Sequence, residues 1–270
     1  MWLVVLAAVV GVVLAYGWFE AGWLRTRVLE LELPGLPEAL DGLRVAHLSD
    51  FHLGVPSRGA VAAERAVDWV ASRKPDLVCI TGDLLSRPRG EPLLRRLLAR
   101  LGPVYAVLGN HDRTDSRDPF SQPVELHELG ETELLKDDSR LVPLRGAHVQ
   151  IVGVDPASYS LGVALPERHA DASADLRILL CHFPGVARSL EPGVYHLVLA
   201  GHLHAGQIAL PYPGGRFLFA HPFSQEDRGV YRYPGTTLHV SPGVGTTFVP
   251  FRFLARPEVT ELVLRRADVH

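Results

Sequence analysis

A chain of 270 residues with 47% hydrophobic side chains has material for a full core, in one large domain or two small ones. Its formal charge of -3 argues against a general nucleic-acid binder, which would be basic. Cys79 and Cys181 form neither a thiolate metal motif nor a disulfide framework, and each sits in an apolar run that predicts a buried free thiol.

The first predicted element spans a membrane. Residues 1–19, MWLVVLAAVVGVVLAYGWF, carry no charged side chain. As a helix they reach roughly 28 Å, close to the hydrocarbon thickness. Trp18 and Trp23 fall at the far edge, where interfacial aromatics are expected. A cleaved signal peptide is the competing reading, with Ala15-Tyr16-Gly17 as a passable cleavage site. The missing basic n-region and the length of the apolar stretch favour an uncleaved anchor over residues 1–22. Arg25 and Arg27 flank it, and the positive-inside bias then puts the domain in the cytoplasm, with export as the alternative.

Residues 23–40 are expected to link anchor and domain, with LELELPGLPEAL reading as an alternating edge strand and a Pro/Gly turn. Over 41–270, short runs rich in Val, Ile and Leu alternate with helical stretches, which predicts an α/β domain. LRVAHLSD ends at Asp50, just before His52. A helical stretch over 58–74 leads to DLVCITGD, which ends at Asp83. A second over 91–101 leads to PVYAVLGNHD, which ends in Asn110, His111 and Asp112. LRILLCHFP delivers His182, and YHLVLAGHLH delivers His202 and His204. The stretch from GVYRYPGTTLHVSPG reads as strand, turn and strand, closing a second sheet beside the site.

Each of these polar residues stands where a buried strand hands over to a loop, and open α/β sheets bind ligands at that end. One such residue alone would read as a cap or a turn. Five repetitions point to a common crevice. His47, His127, His148, His169, His196, His221, His239 and His270 lack the placement and read as core-edge or surface residues, although His47 and His196 lie in or beside strands that feed the crevice.

Carboxylate, amide and imidazole donors without cysteine suit Mn, Zn or Fe better than Ca or Mg. Eight candidate groups exceed the need of one ion, whereas two divalent ions sharing a carboxylate account for them. Two metals about 3.5–4 Å apart can share and deprotonate a water and clamp a phosphoryl group. The implied reaction is hydrolysis at phosphorus.

DFH at 50–52, GD at 82–83, GNHD at 109–112, His182 and GHLH at 201–204 together resemble the calcineurin-like metallophosphoesterases. The anchor, GLRVAHLSDFHLG and GHLHAGQIALP resemble that family's membrane-associated bacterial branch, which includes phosphodiesterases of the YkuE and YaeI type and a UDP-2,3-diacylglucosamine pyrophosphatase. The resemblance implies a four-layer fold: two mixed β-sheets packed as a sandwich with helices outside. It implies one ion on Asp50, His52, Asp83 and His204, and a second on Asp83, Asn110, His182 and His202. Mn is the expected metal, with Zn and Fe as alternatives, and the attacking hydroxide would bridge the two ions. His111 would face the substrate and Asp112 would hold its imidazole in the useful tautomer. One departure is Ala205, where the branch usually has glycine.

The expected activity is that of a phosphodiesterase or pyrophosphatase on a phosphate ester or anhydride, with a lipid-linked or nucleotide-linked substrate suggested by the anchor. Arg58 and Arg113 could clamp a second phosphate or could be solvated loop residues. A metal-free scaffold of the same fold should show broken ligand positions, and none is broken here. A nuclease is disfavoured by charge, and no nucleic-acid partner is expected.

Overall fold

Strands buried on both faces need cover on both sides, from helices or from a second sheet. The computed structural model describes residues 1–113, 118–124, 126 and 128–267, and in it the central apolar runs receive both kinds of cover. The first sheet contains β1 (Arg25–Leu33), β2 (Arg44–Leu48), β3 (Leu77–Thr81), β4 (Val104–Val107), β5 (Thr132–Leu134) and β14 (Glu258–Arg266), in the order β1-β14-β2-β3-β4-β5. The second contains β6 (Asp138–Leu144), β7 (Ala147–Gly153), β8 (Leu176–Leu180), β9 (Leu197–Ala200), β12 (Gly229–Tyr233) and β13 (Thr236–Val240), in the order β12-β13-β9-β8-β7-β6. A hairpin of β10 (Ala209–Tyr212) and β11 (Gly215–Leu218) stands apart from both.

The two sheets pack face to face. Val45, Cys79 and Val107 from the first meet Ile151, Ile178 and Leu199 from the second, all fully buried. On the outer face of the first sheet, α2 (Gly59–Arg73) and α3 (Glu91–Leu98) lay Ala63, Val67, Val70 and Leu94 over Leu48, Ile80 and Ala106. A third cluster, with Val152, Leu179, Val198 and Leu238, lies under short helical turns at 156–160 and 184–188. This is the expected four-layer α/β sandwich. Lys74 ends α2 in a left-handed conformation (φ 50°), and Pro75 then prevents the helix from continuing.

Helix α1 (Trp2–Glu20) is exposed from residue 2 to residue 15, and is long and apolar enough to cross a bilayer. Its last turn is part of the domain. Gly17 and Glu20 are buried, and the Glu20 carboxylate accepts the N–H groups of Leu254 (3.0 Å) and Ala255 (2.7 Å). The segment 23–40, expected as a linker, carries β1. That strand pairs with β14 at all nine positions from Arg25↔Glu258 to Leu33↔Arg266, so the sheet begins at Arg25. The alternation of LELEL turns Leu31 and Leu33 into the core while Glu30 and Glu32 stay outside.

Parallel pairing of β2, β3 and β4, and of β8 and β9, brings their carboxyl ends to one crevice between the sheets. Asp50, Asp83, Asn110, His182 and His202 follow those strand ends.

Candidate metal centre

The backbone at the rim is unusual. Asp50, His52, Asp83, His202 and His204 all have φ between 46° and 74°. For a residue with a Cβ this costs roughly 1–2 kcal/mol, and the surrounding structure must enforce it. Each turn bends a side chain back over the strand end instead of out to solvent. Two glycines make room for this. A Cβ at Gly109 would overlap the Asp83 carboxylate, and one at Gly201 would overlap Ser49 Oγ and Asp50 Oδ2. The glycines of GNHD and GHLH are therefore required by close approach.

Asp50, His52, Asp83 and His204 bring one donor atom each within 4.8 Å of one another, and so do Asp83, His182 and His202. Asp83 belongs to both groups. Its Oδ1 accepts the His111 backbone N–H (2.8 Å), while its Oδ2 lies 3.3 Å from both His52 Nε2 and His182 Nε2. Asn110 Oδ1 is 3.1 Å from His182 Nε2, on the side of the second group. His204 Nε2 is 3.4 Å from Asp50 Oδ1.

The donor set fits divalent cations. The outward ring atoms are anchored: His182 Nδ1 donates to the Thr81 carbonyl (2.7 Å), and His52 Nδ1 pairs with Ser86 Oγ (2.8 Å). This leaves the Nε2 atoms aimed into the crevice, as metal-ligating imidazoles require. Burial holds His202 down to about 3 and His204 well below its ordinary value, so both rings are neutral donors. Burial opposes a charge on His182, but Asp83 and then Asp50 outweigh it and hold the ring up to about 9. Burial opposes a charge on Asp83 too, and His182, His111 and His52 overcome it and pull it well below the usual range. A bound cation would take the place of the proton between them.

Asp112 does not orient His111 through its ring. Its carboxylate accepts the backbone N–H groups of Leu84 (3.0 Å), Leu85 (2.8 Å) and Gly109 (2.9 Å), tying the GNHD turn to the Asp83 loop. The reason is that these three amides take up the Asp112 carboxylate oxygens. His111 Nδ1 pairs instead with Ser121 Oγ (2.9 Å). Burial pushes His111 down to about 4, with Asp83 partly opposing.

The crevice opens into a cavity of about 970 Å³, lined by the polar Asp83, Asn110, His111, His202 and His204 and by the apolar Ile208, Phe219, Phe248 and Val249. Neither Arg58 nor Arg113 lines it. Arg113 is bound to the Asp155 carboxylate (2.7 Å), and Arg58 lies over the Phe19 ring at the end of α1. His221, placed at the surface by its sequence context, lines the cavity with its ring 5.3 Å from His202. His47 and His239 form a buried pair (Nδ1 to Nδ1, 2.8 Å) behind the site, and His47 Nε2 meets Thr81 Oγ1 at 2.9 Å. His127 and His270 lie outside the described residues.

Sequence reasoning also missed Arg252. It is fully buried and spreads its five N–H groups over five carbonyls, those of His204, Pro242, Gly243, Gly245 and Ala255. Gly245 N–H in turn donates to the Asp50 carbonyl (2.6 Å), and Arg252 N–H donates to Gly17 of α1 (3.0 Å). Arg252 thus ties the His204 turn and the 242–245 loop together through its guanidinium, and ties itself to the end of the apolar helix through its backbone amide. The signal was a single charge inside the aromatic run FVPFRFLA.

The calcineurin-like phosphoesterase family model matches residues 43–206. The chain belongs to that family. It is 33% identical to a "Transmembrane protein with metallophosphoesterase domain" from Danio rerio over 97% of this chain and 63% of that one. It is 29% identical to a metallophosphoesterase, YkuE, of Bacillus subtilis over 86% of this chain and 82% of that one. It is 25% identical to "Phosphodiesterase YaeI" of Escherichia coli, over 92% and 89%. The chain is a hydrolase of phosphoester bonds that uses divalent metal, and the Asp/His groups above are a site whose donors suit such ions. Its N-terminal helix is long and apolar enough to cross a membrane, and two of the relatives are named as transmembrane proteins, which supports membrane association.

Proposed function

We propose that this phosphoesterase works through two ions, preferably Mn, and acts on a phosphodiester or pyrophosphate carried by a membrane lipid. The observation that carries the dinuclear reading is Asp83, whose Oδ2 stands 3.3 Å from an imidazole of each donor group. One ion would be held by Asp50, His52, Asp83 and His204, the other by Asp83, Asn110, His182 and His202. Bound ions supply Lewis-acid polarisation of the phosphoryl oxygens and an activated water. The chain's own residues do the rest. Asp112 fixes the GNHD turn, and Ser121 fixes the His111 ring beside Asp83. His111 is neutral in the empty field of its neighbours, and an entering phosphoryl anion supplies the counter-charge that lets it hold a proton for the leaving oxygen. The apolar residues that line the cavity, Ile208, Phe219, Phe248 and Val249, exclude water and accept a hydrocarbon portion.

We propose that the domain lies on the cytoplasmic side. Arg25 and Arg27 follow α1, and folding adds Arg58 over Phe19, Arg65 donating to the Gly22 carbonyl (3.2 Å) and Arg256 over Trp23 (3.8 Å). Such a basic collar supports retention on the positive-inside bias. The test of function is turnover by Mn-loaded full chain on soluble phosphomonoesters, phosphodiesters and pyrophosphates and on lipid phosphoesters in vesicles. Chelator-sensitive turnover of a diester or pyrophosphate supports the reading; turnover of monoesters alone, or turnover that survives chelation, contradicts it.

A further inference from the structure

The hairpin of β10 and β11 carries apolar side chains on both faces. Its inner face places Ala209 and Leu218 against Ala205 and Ala255. Its outer face carries Leu210 directly opposite Phe217, with Tyr212 two residues along from Leu210. Phe219 extends this stripe beyond β11, its ring 5.2 Å from that of Phe217, and lines the cavity. Leu210, Tyr212, Phe217 and Phe219 are 41%, 57%, 47% and 56% exposed. Water on such a face is unfavourable, and a continuous exposed apolar stripe marks a contact surface.

The connections of the hairpin say what covers it. Ala209 N–H donates to the Phe253 carbonyl (2.9 Å), and Arg216 donates to the Leu254 carbonyl (2.8 Å). That same loop receives the end of α1: Tyr16 packs edge-on against Phe253, Trp18 packs against Phe251, and Glu20 takes the amides of Leu254 and Ala255. The stripe is therefore one connecting loop away from the point where the apolar helix meets the domain, beside the aromatic and arginine side chains that surround that end of the helix.

We propose that this hairpin is a second membrane contact, lying in the headgroup–acyl boundary, so that the cavity opens along the bilayer and its phosphoester enters from the plane of the membrane with its hydrocarbon against Phe219 and Phe248. The proposal deepens the lipid-phosphoester reading above and rests on it for the substrate; the membrane contact rests on the exposed stripe and its closeness to the end of α1.

The test uses the full chain in nanodiscs of phosphatidylcholine and phosphatidylglycerol. Phe217→Cys, and separately Leu141→Cys on β6 as a control, are labelled with an environment-sensitive fluorophore; the native Cys79 and Cys181 are buried and stay unlabelled. Doxyl lipids should quench the label at 217 and not that at 141. Equal quenching at the two positions overturns the contact, and so does a label at 217 that is shielded from iodide yet untouched by doxyl lipid, which would mean that protein covers the face. In the second arm, Leu210→Asp combined with Phe217→Asp should slow cleavage of a nitrophenyl phosphodiester bearing one long alkyl chain by about tenfold. Neither residue lines the cavity, so cleavage of water-soluble bis(nitrophenyl) phosphate should be unchanged. Equal loss on both substrates, or on neither, overturns in-plane entry while leaving the phosphoesterase activity standing.

Discussion

Replacing Arg252 with methionine keeps most of the side-chain volume and removes every donor. Five carbonyls lose a partner, but two of them have another: Gly243 also accepts the Glu258 N–H (3.1 Å), and His204 also accepts the Gln207 N–H (2.8 Å). Pro242, Gly245 and Ala255 depend on Arg252 most. A buried acceptor left unsatisfied costs about 1–3 kcal/mol, and relief from burying a guanidinium offsets part of the sum. That burial is already felt, since it pulls Arg252 down to about 10, still charged at neutral pH. A net loss of about 3–5 kcal/mol is expected for Arg252→Met, a large share of the stability of a typical domain. Arg252→Lys, with three N–H donors for five carbonyls, should fall between. Because the guanidinium sits on the carbonyls of His204 and Gly245, metal should leave the variant before the fold does. The assay is urea unfolding in detergent alongside metal retained after dialysis. A methionine variant within about 1 kcal/mol of the parent, retaining its metal, would refute the role of this hub.

Asp83→Ala should empty both halves of the site, whereas His52→Ala or His202→Ala should weaken one; elemental analysis of the three variants separates these outcomes, and an alanine variant at 83 with unchanged metal would sink the shared-carboxylate assignment. His111→Ala should slow cleavage of alkyl diesters or pyrophosphates by roughly 10²–10⁴-fold and spare a nitrophenyl diester by comparison, with metal content unchanged. Equal losses across leaving groups would make His111 a binding residue. Burial pushes the Cys79 and Cys181 thiols up to about 12, so a thiol reagent near neutral pH should label neither until the chain is unfolded. Ala205→Gly should be close to neutral: the left-handed backbone there (φ 51°) favours glycine by about 1 kcal/mol, while lost methyl burial and a freer unfolded chain take back a similar amount.

The strands that lead to Asp50, Asp83, Asn110, His182 and His202 were legible because a doubly buried strand has one composition and a candidate ligand follows it within three residues. What could not be read is what depends on long-range partners. Glu20 looks like the polar end of an anchor, yet it accepts two amides that arrive from residues 254 and 255. The strand at 25–33 alternates visibly, but only its pairing with the far end of the chain makes it part of the sheet instead of a linker. Asp112 next to His111 suggests an orienting pair, and the amides that take the carboxylate come from a different loop. His221 joins the cavity through the hairpin and the loop after it, which carry no periodicity that would point there.

The central claim is that two metal ions share Asp83. Full-length protein loaded with Mn should hold close to two ions per chain and give a spin-coupled paramagnetic resonance signal, and both the signal and the diester turnover should disappear together on chelation. A fully active protein with one ion per chain and an uncoupled Mn signal would contradict it.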